Sequence, residues 1–251
     1  MKTVKILCCL GVLLMSVFSC KQEPETIIGV KIYEYQGDYE ALAQQWKTLG
    51  INTAFVSTEL AANDTFRRAL RKYHIPVFII FPVFQNPEIL KKDSSLYAIT
   101  SQGEKAKDDW VEFVCPSRDN YRKAKTAELA GLVKRYDPDG ISLDFIRHFV
   151  FWEMVYPDRE QDSIDRACYC DFCLAQFSYQ KDITFPDTCK TMLQKTGFIK
   201  TQYQAQYDSF RCNLITSMVK DLAEAAKAVN PKLKINVHAV PWRDVDFGGA
   251  N

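Results

Sequence analysis

Net charge is almost absent from this 251-residue chain: 32 Lys and Arg stand against 31 Asp and Glu, for a formal charge of +1. Acids and bases are interspersed, with no basic stripe. A nucleic-acid partner needs a concentrated cationic face and is therefore not expected. No Gly-rich phosphate cradle follows the first predicted strand. That disfavours a dinucleotide-binding Rossmann fold, and no organic cofactor is expected. There is no internal repeat and no low-complexity tract. Beyond residues 6–18 no segment is apolar enough to cross a membrane. What is present is an ordinary globular composition, 47% hydrophobic, with four Trp, twelve Tyr and sixteen Phe. Aromatics mostly fill cores, but this supply also suits stacking on sugar rings.

The N-terminus departs from that composition. Lys2 and Lys5 precede the apolar run 6–18, which is short for a bilayer span and fits the core of a signal peptide. The run ends in Val17-Phe18-Ser19-Cys20, which resembles a lipobox. The resemblance implies a signal peptide over 1–19, lipidation at Cys20, a polar tether over 20–26, and an exported, membrane-anchored protein at the periplasmic or cell surface. The remaining 27–251 make one large domain or two small ones.

Hydrophobic patterning alternates between strand and helix. Strands are expected at 27–35, 51–57, 76–84, 140–146 and 233–240, and helices at 38–49, 65–73, 119–136 and 203–229. The run 76–84 is nearly all apolar, as in a parallel sheet buried on both faces. In the helix at 119–136, Ala127, Ala130, Leu132 and Val133 are apolar, and Asp137-Pro138 stops it. In the helix at 203–229, Phe210, Leu214, Met218, Leu222 and Ala226 recur every four residues. A loop carrying Trp110 precedes Cys115-Pro116, and a long excursion runs from Arg147 to about Lys200. The pattern predicts an α/β fold of the (β/α)8 TIM-barrel type with about five strand–helix units, an incomplete barrel that reads as C-terminally truncated.

Chemistry in such barrels sits where strands end. The fourth predicted strand reads Asp139-Gly140-Ile141-Ser142-Leu143-Asp144-Phe145-Ile146-Arg147-His148. Alternation turns Ile141, Leu143 and Phe145 toward the helices, and Ser142 and Asp144 toward the barrel interior. A buried carboxylate needs a partner, and Arg147 is the nearest candidate in sequence. DGISLDFIRH resembles the fourth-strand motif of TIM-barrel glycoside hydrolases and, more distantly, that of the α-amylase clan. The resemblance implies that Asp144 is the carboxylate that attacks or stabilises the anomeric carbon, with Arg147 in the same catalytic set. A glycosidase needs a second carboxylate. Glu153, Asp244 and Asp246 are available, with no motif behind them.

The fifth strand places Asn236 and His238 on one face, with Trp242 beyond. His238 can hydrogen-bond a sugar hydroxyl or Asp144, and Trp242 can offer a stacking surface. With His148, and with Trp152 and Glu153 in the excursion, these are the candidate substrate-binding residues. Each equally suits interior hydrogen bonding or loop packing.

Cys168-Tyr169-Cys170-Asp171-Phe172-Cys173 is a C-x-C-x-x-C element, and three thiolates this close can converge on one tetrahedral zinc. Cys115 is the candidate fourth ligand. The alternatives are reduced structural thiols or disulfides. The arrangement resembles the four-cysteine zinc site of family 42 β-galactosidases, which implies a closed, structural zinc. That family's Asn-Glu pair is missing from the fourth strand, so the resemblance covers the metal site only. Cys189 and Cys212 remain, either as a disulfide or with Cys212 simply buried. Two functions follow as expectations: a glycoside hydrolase acting on an extracellular or periplasmic oligo- or polysaccharide, or a non-catalytic carbohydrate-binding lipoprotein.

Overall fold

The computed structural model describes residues 26–108, 110–150 and 166–239. Cys20, Trp152, Glu153, Trp242, Asp244 and Asp246 lie outside the described residues.

Five parallel strands form one sheet. They are β1 (Gly29–Ile32), β2 (Thr53–Val56), β3 (Val77–Pro82), β6 (Gly140–Asp144) and β7 (Lys234–Val237), in the spatial order β1-β2-β3-β6-β7. Consecutive sheet strands are neighbours, and the connections carry helices, so the architecture is α/β of the (β/α)-barrel type. β3 and β6 are central and almost wholly buried, whereas the outer strands β1 and β7 are half-buried or exposed along their length.

Helix starts follow strand ends closely because cap residues sit there. α1 (Tyr39–Thr48) is capped by Asp38, whose carboxylate accepts from the N–H groups of Glu40 and Ala41. α2 (Thr58–Ala62) is capped by Ser57, and α3 (Asp64–Lys72) by Asn63. The connection after β3 is richer than a plain loop. It holds α4 (Pro87–Lys92), with Asn86 as cap and Pro87 opening the helix, and then a hairpin of β4 (Lys107–Asp108) and β5 (Val111–Glu112).

The expected helix at 119–136 forms as α5 (Asp119–Tyr136), but its buried face is Tyr121, Lys125, Leu129 and Val133. Ala127 is exposed, and Ala130 and Leu132 are only half-buried. The reason is side-chain reach. Lys125 lays its chain inward with Nζ 4.1 Å from the centre of the Phe81 ring and pairs with Glu128, a snorkelling arrangement that apolar periodicity does not register. The excursion contains two helices, α6 (Asp171–Lys181) and α7 (Met192–Gln202), before α8 (Gln204–Val229). The expected stripe of α8 is buried, and Tyr207 extends it by one turn. Arg122 ties α5 to α8, donating to the Leu214 carbonyl, Ser217 Oγ and Asp221 Oδ2.

Candidate active site and metal centre

The motif on β6 divides its labour along the strand. At the N-terminal end the Asp139 carboxylate accepts from the Val77 N–H at 2.8 Å and fixes the β3–β6 start. Gly140 lies against the Phe78 ring, where a Cβ would sit 2.3 Å from a ring carbon. Ile141 and Leu143 are fully buried on the helix side, as alternation predicts. On the interior side, Ser142 Oγ donates to Asn236 Oδ1 at 2.6 Å.

Asp144 closes the strand and is 9% exposed. Its partners are not the expected Arg147. Lys31 Nζ donates to Oδ2 at 3.2 Å, His238 Nδ1 lies 3.1 Å from the same oxygen, and the Phe145 N–H donates to Oδ1 at 2.9 Å. Lys31 and His238 are themselves 3.3 Å apart. His238 follows from register, because Ser142 pairs with Asn236 and Leu143 with Val237, and the next residues lie side by side. Lys31 follows from barrel geometry. Its ladder runs through Phe55 and Phe78 to Gly140. The sheet bends as in a barrel, and the long Lys31 side chain crosses its interior to Asp144, further along β6 than its ladder partner Gly140. Lys31 was not among the candidates, because nothing in its sequence surroundings signals a residue 113 positions away.

The electrostatics favour an ionised carboxylate. Burial pushes Asp144 up, but the hydrogen bond and charge of His238, the charge of Lys31 and the Phe145 N–H outweigh it and hold the group below its ordinary 3.8. Burial lowers Lys31, while Tyr33 and Asp144 more than compensate, so it stays a cation.

Arg147 turns away. Its guanidinium lies 4.9 Å from the Phe113 ring centre and 5.7 Å from that of Phe145, and Nη1 donates to the His148 carbonyl at 3.1 Å. His148, a candidate sugar ligand, instead sets Nε2 3.0 Å from the Arg211 carbonyl on α8. Burial, and then the charge of Arg211, push it down to about 3, so it is neutral. The chain turns sharply between these residues and the strand, since Phe145 adopts φ 48°.

The second centre is enclosed. Cys115, Cys168, Cys170 and Cys173 are all buried, and their sulfurs lie within 4.8 Å of one another. Cys115 Sγ is 3.7 Å from Cys170 Sγ and 3.4 Å from Cys173 Sγ. Cys170 is the N-cap of α6, and Cys173 sits in its first turn, where the helix dipole favours negative sulfur. Hydrogen bonds from Cys115, Cys168 and Cys173 push Cys170 toward thiolate, while burial pushes Cys168 up. α8 clamps the loop: Tyr207 OH donates to the Cys168 carbonyl at 2.7 Å, and Arg211 Nη2 to the Ala167 carbonyl at 2.6 Å. Tyr169 stacks on Tyr207 at 4.9 Å. The four thiols form a possible metal site. All six described cysteines are free, so the Cys189–Cys212 disulfide is not formed, and Cys212 is exposed rather than buried.

No protein-family model matches the chain. No curated protein matches it. Solved structures do share its fold. A β-galactosidase from the psychrophilic Marinomonas ef1 aligns with TM-score 0.57 at 11% identity, over 84% of this chain and 37% of that one. A β-galactosidase from Bacillus circulans sp. alkalophilus gives 0.55 at 15%, over 83% and 36%. The α-L-fucosidase isoenzyme 2 from Paenibacillus thiaminolyticus gives 0.53 at 15%, over 89% and 34%. The chain therefore spans about a third of the length of these enzymes and shares the TIM-barrel, glycoside-hydrolase-like fold.

Proposed function

We propose that this chain is glycoside hydrolase-like and acts on an extracellular or periplasmic glycan, with Asp144 as a catalytic carboxylate. The observation that carries the proposal is the interior cluster of Asp144, Lys31 and His238 at the C-terminal ends of the strands, on a fold shared with galactosidases and a fucosidase. A carboxylate flanked by two cation-forming groups suits attack on, or stabilisation of, an oxocarbenium-like anomeric carbon, and suits the general-acid role poorly. Asp144 would supply the electron pair or the negative charge at the anomeric carbon, and the departing glycosidic oxygen would take its proton from a separate acid. Lys31 and His238 orient the carboxylate. Asn236 and Ser142 line the same interior below it. Arg147 acts on the loop that follows, through the Phe113 and Phe145 rings.

Zinc is the proposed occupant of the four-cysteine site. About 2.3 Å Zn–S bonds in a tetrahedron give sulfur separations of about 3.8 Å, close to what the buried thiols already show. Four protein ligands leave no open position for water, so the metal would pin the loop ahead of α6 and take no part in the reaction. Anchoring through an acylated Cys20 is proposed from the lipobox-like residues alone.

The test is release of sugar from a panel of oligosaccharides by the wild type and by Asp144→Asn. The substitution keeps the shape and removes the charge, so hydrolysis should fall by about a thousandfold or more. Equal hydrolysis by both forms contradicts the proposal. Sugar binding without hydrolysis by either form favours the non-catalytic carbohydrate-binding alternative.

A further inference from the structure

Trp110 stands on the β4–β5 hairpin and is 52% exposed, a large apolar area to leave in water. It is nevertheless held. Its ring meets Phe145 edge-to-face, with centroids 5.8 Å apart and planes at 84°. In that geometry Phe145 covers at most one face of the indole, whichever ring supplies the edge, and the other stays free of it.

The anchor is tied to the candidate active site. Phe145 directly follows Asp144, and its N–H donates to Asp144 Oδ1. Its φ of 48° is costly for a bulky residue, and such strain persists only where surrounding contacts enforce it. Those contacts are visible. The Phe145 ring packs on Phe113 at 6.0 Å, Phe113 packs on Phe149 at 5.6 Å, and the Arg147 guanidinium sits over both Phe113 and Phe145. A chain of rings thus runs from the core to an exposed indole that packs on the residue after the carboxylate. The hairpin is braced independently by the Lys107–Glu112 pair at 2.7 Å and by Tyr97, whose hydroxyl donates to Glu112.

We propose that Trp110 is a stacking platform for a pyranose ring and forms a sugar subsite beside Asp144. The inference rests on the glycan reading of the same site and adds a residue and a ligand class to it. A flat indole gains from a ring that presents several axial C–H groups on one face, as β-galactopyranosyl and β-glucopyranosyl units do. It gains little from a charged or fully hydroxylated face. Phe145 and Arg147 position the platform and need not touch the sugar.

The experiment is saturation-transfer NMR on the whole chain with two β-linked probes, lactose and cellobiose. It compares wild type, Trp110→Phe, Trp110→Ala and Asp144→Asn. The wild type should transfer saturation to the C–H protons of one sugar face. Trp110→Phe should keep the effect, and Trp110→Ala should weaken binding about fivefold, the order of one aromatic contact. An exposed indole contributes little to the core, so unchanged melting of Trp110→Ala would show that the loss is local. Equal binding by wild type and Trp110→Ala, or no transfer from the wild type to either probe, overturns the platform. Retained binding by Asp144→Asn together with lost hydrolysis supports both proposals. Binding that survives Trp110→Ala while Asp144→Asn still abolishes hydrolysis sinks the platform and leaves the glycosidase. Binding lost in Trp110→Ala with no hydrolysis by any form keeps the platform and sinks the catalysis.

Discussion

The thiol centre, carried by the connections that follow β3 and β6, and the carboxylate centre, at the end of β6, are built on opposite principles. The four cysteines are fully enclosed, and α8 grips their loop through Tyr207 and Arg211. Asp144, Lys31 and His238 line a more open interior, with Lys31 44% and His238 23% exposed in their side chains. In the first centre, polar atoms are buried to hold chain segments together. In the second, the charges of Asp144 and Lys31 are held ionised by their neighbours and within reach of solvent, which leaves groups available to a ligand. The difference separates scaffold from chemistry, and it predicts that stability and activity respond to different substitutions.

The largest break should come at the thiol centre. If the site holds the proposed zinc, removing it with a strong chelator, or replacing Cys173 with Ser, should cost several kcal/mol of stability, on the order of what a structural metal contributes. Thermal melting with and without chelator, alongside metal analysis, checks this. An unchanged melt and a metal-free preparation would reduce the cluster to packed thiols.

Gly140→Ala should cost about 1–3 kcal/mol, because the added Cβ meets the Phe78 ring and overpacks the β3–β6 contact. Chemical denaturation measures it, and a neutral result would mean that the ring has room to move.

A third effect is pH-dependent. Folded His148 is pushed down to about 3 from an ordinary 6.5, so below 6.5 the unfolded chain takes up a proton that the folded chain refuses. Stability contributed by the neutral ring is complete above 6.5 and falls as pH drops toward 3, by at most about 1.4 kcal/mol per pH unit. His148→Gln should flatten that slope, as read from melts between pH 7 and 4. A slope unchanged by the substitution would assign the acid sensitivity elsewhere.

These two centres also differ in how far the sequence announces them. Three of the four cysteines fall within six residues, and that spacing alone brings three thiols together, although the helix whose N-terminus carries them was not expected. The strand alternation that turns Ser142 and Asp144 inward is equally local, and the five strands and the α8 stripe follow from periodicity. Lys31 has no such signal. It meets Asp144 across the interior of a sheet three strands wide, a property of the assembled sheet that no local window contains. Arg147 failed as partner for a related reason: the left-handed turn at Phe145 redirects the chain after Asp144, and alternation stops predicting direction there. The helices α6 and α7 escaped notice because their apolar residues, such as Phe172, Leu174 and Leu193, do not gather on one face. Phe172 and Leu193 are in fact exposed.

The smallest stability effect should fall on Lys31. Its pairing with Asp144 is partly solvated, so Lys31→Met should change stability by no more than about 1 kcal/mol. The same change should be plain in the ionisation of its partner. The direct test is carbon-13 NMR titration of the Asp144 carboxyl in the wild type and in Lys31→Met. The wild-type midpoint should lie below the ordinary 3.8, and it should rise when the lysine charge is removed. A wild-type midpoint at or above 3.8, unmoved by Lys31→Met, would contradict an ionised carboxylate held for chemistry by its neighbours.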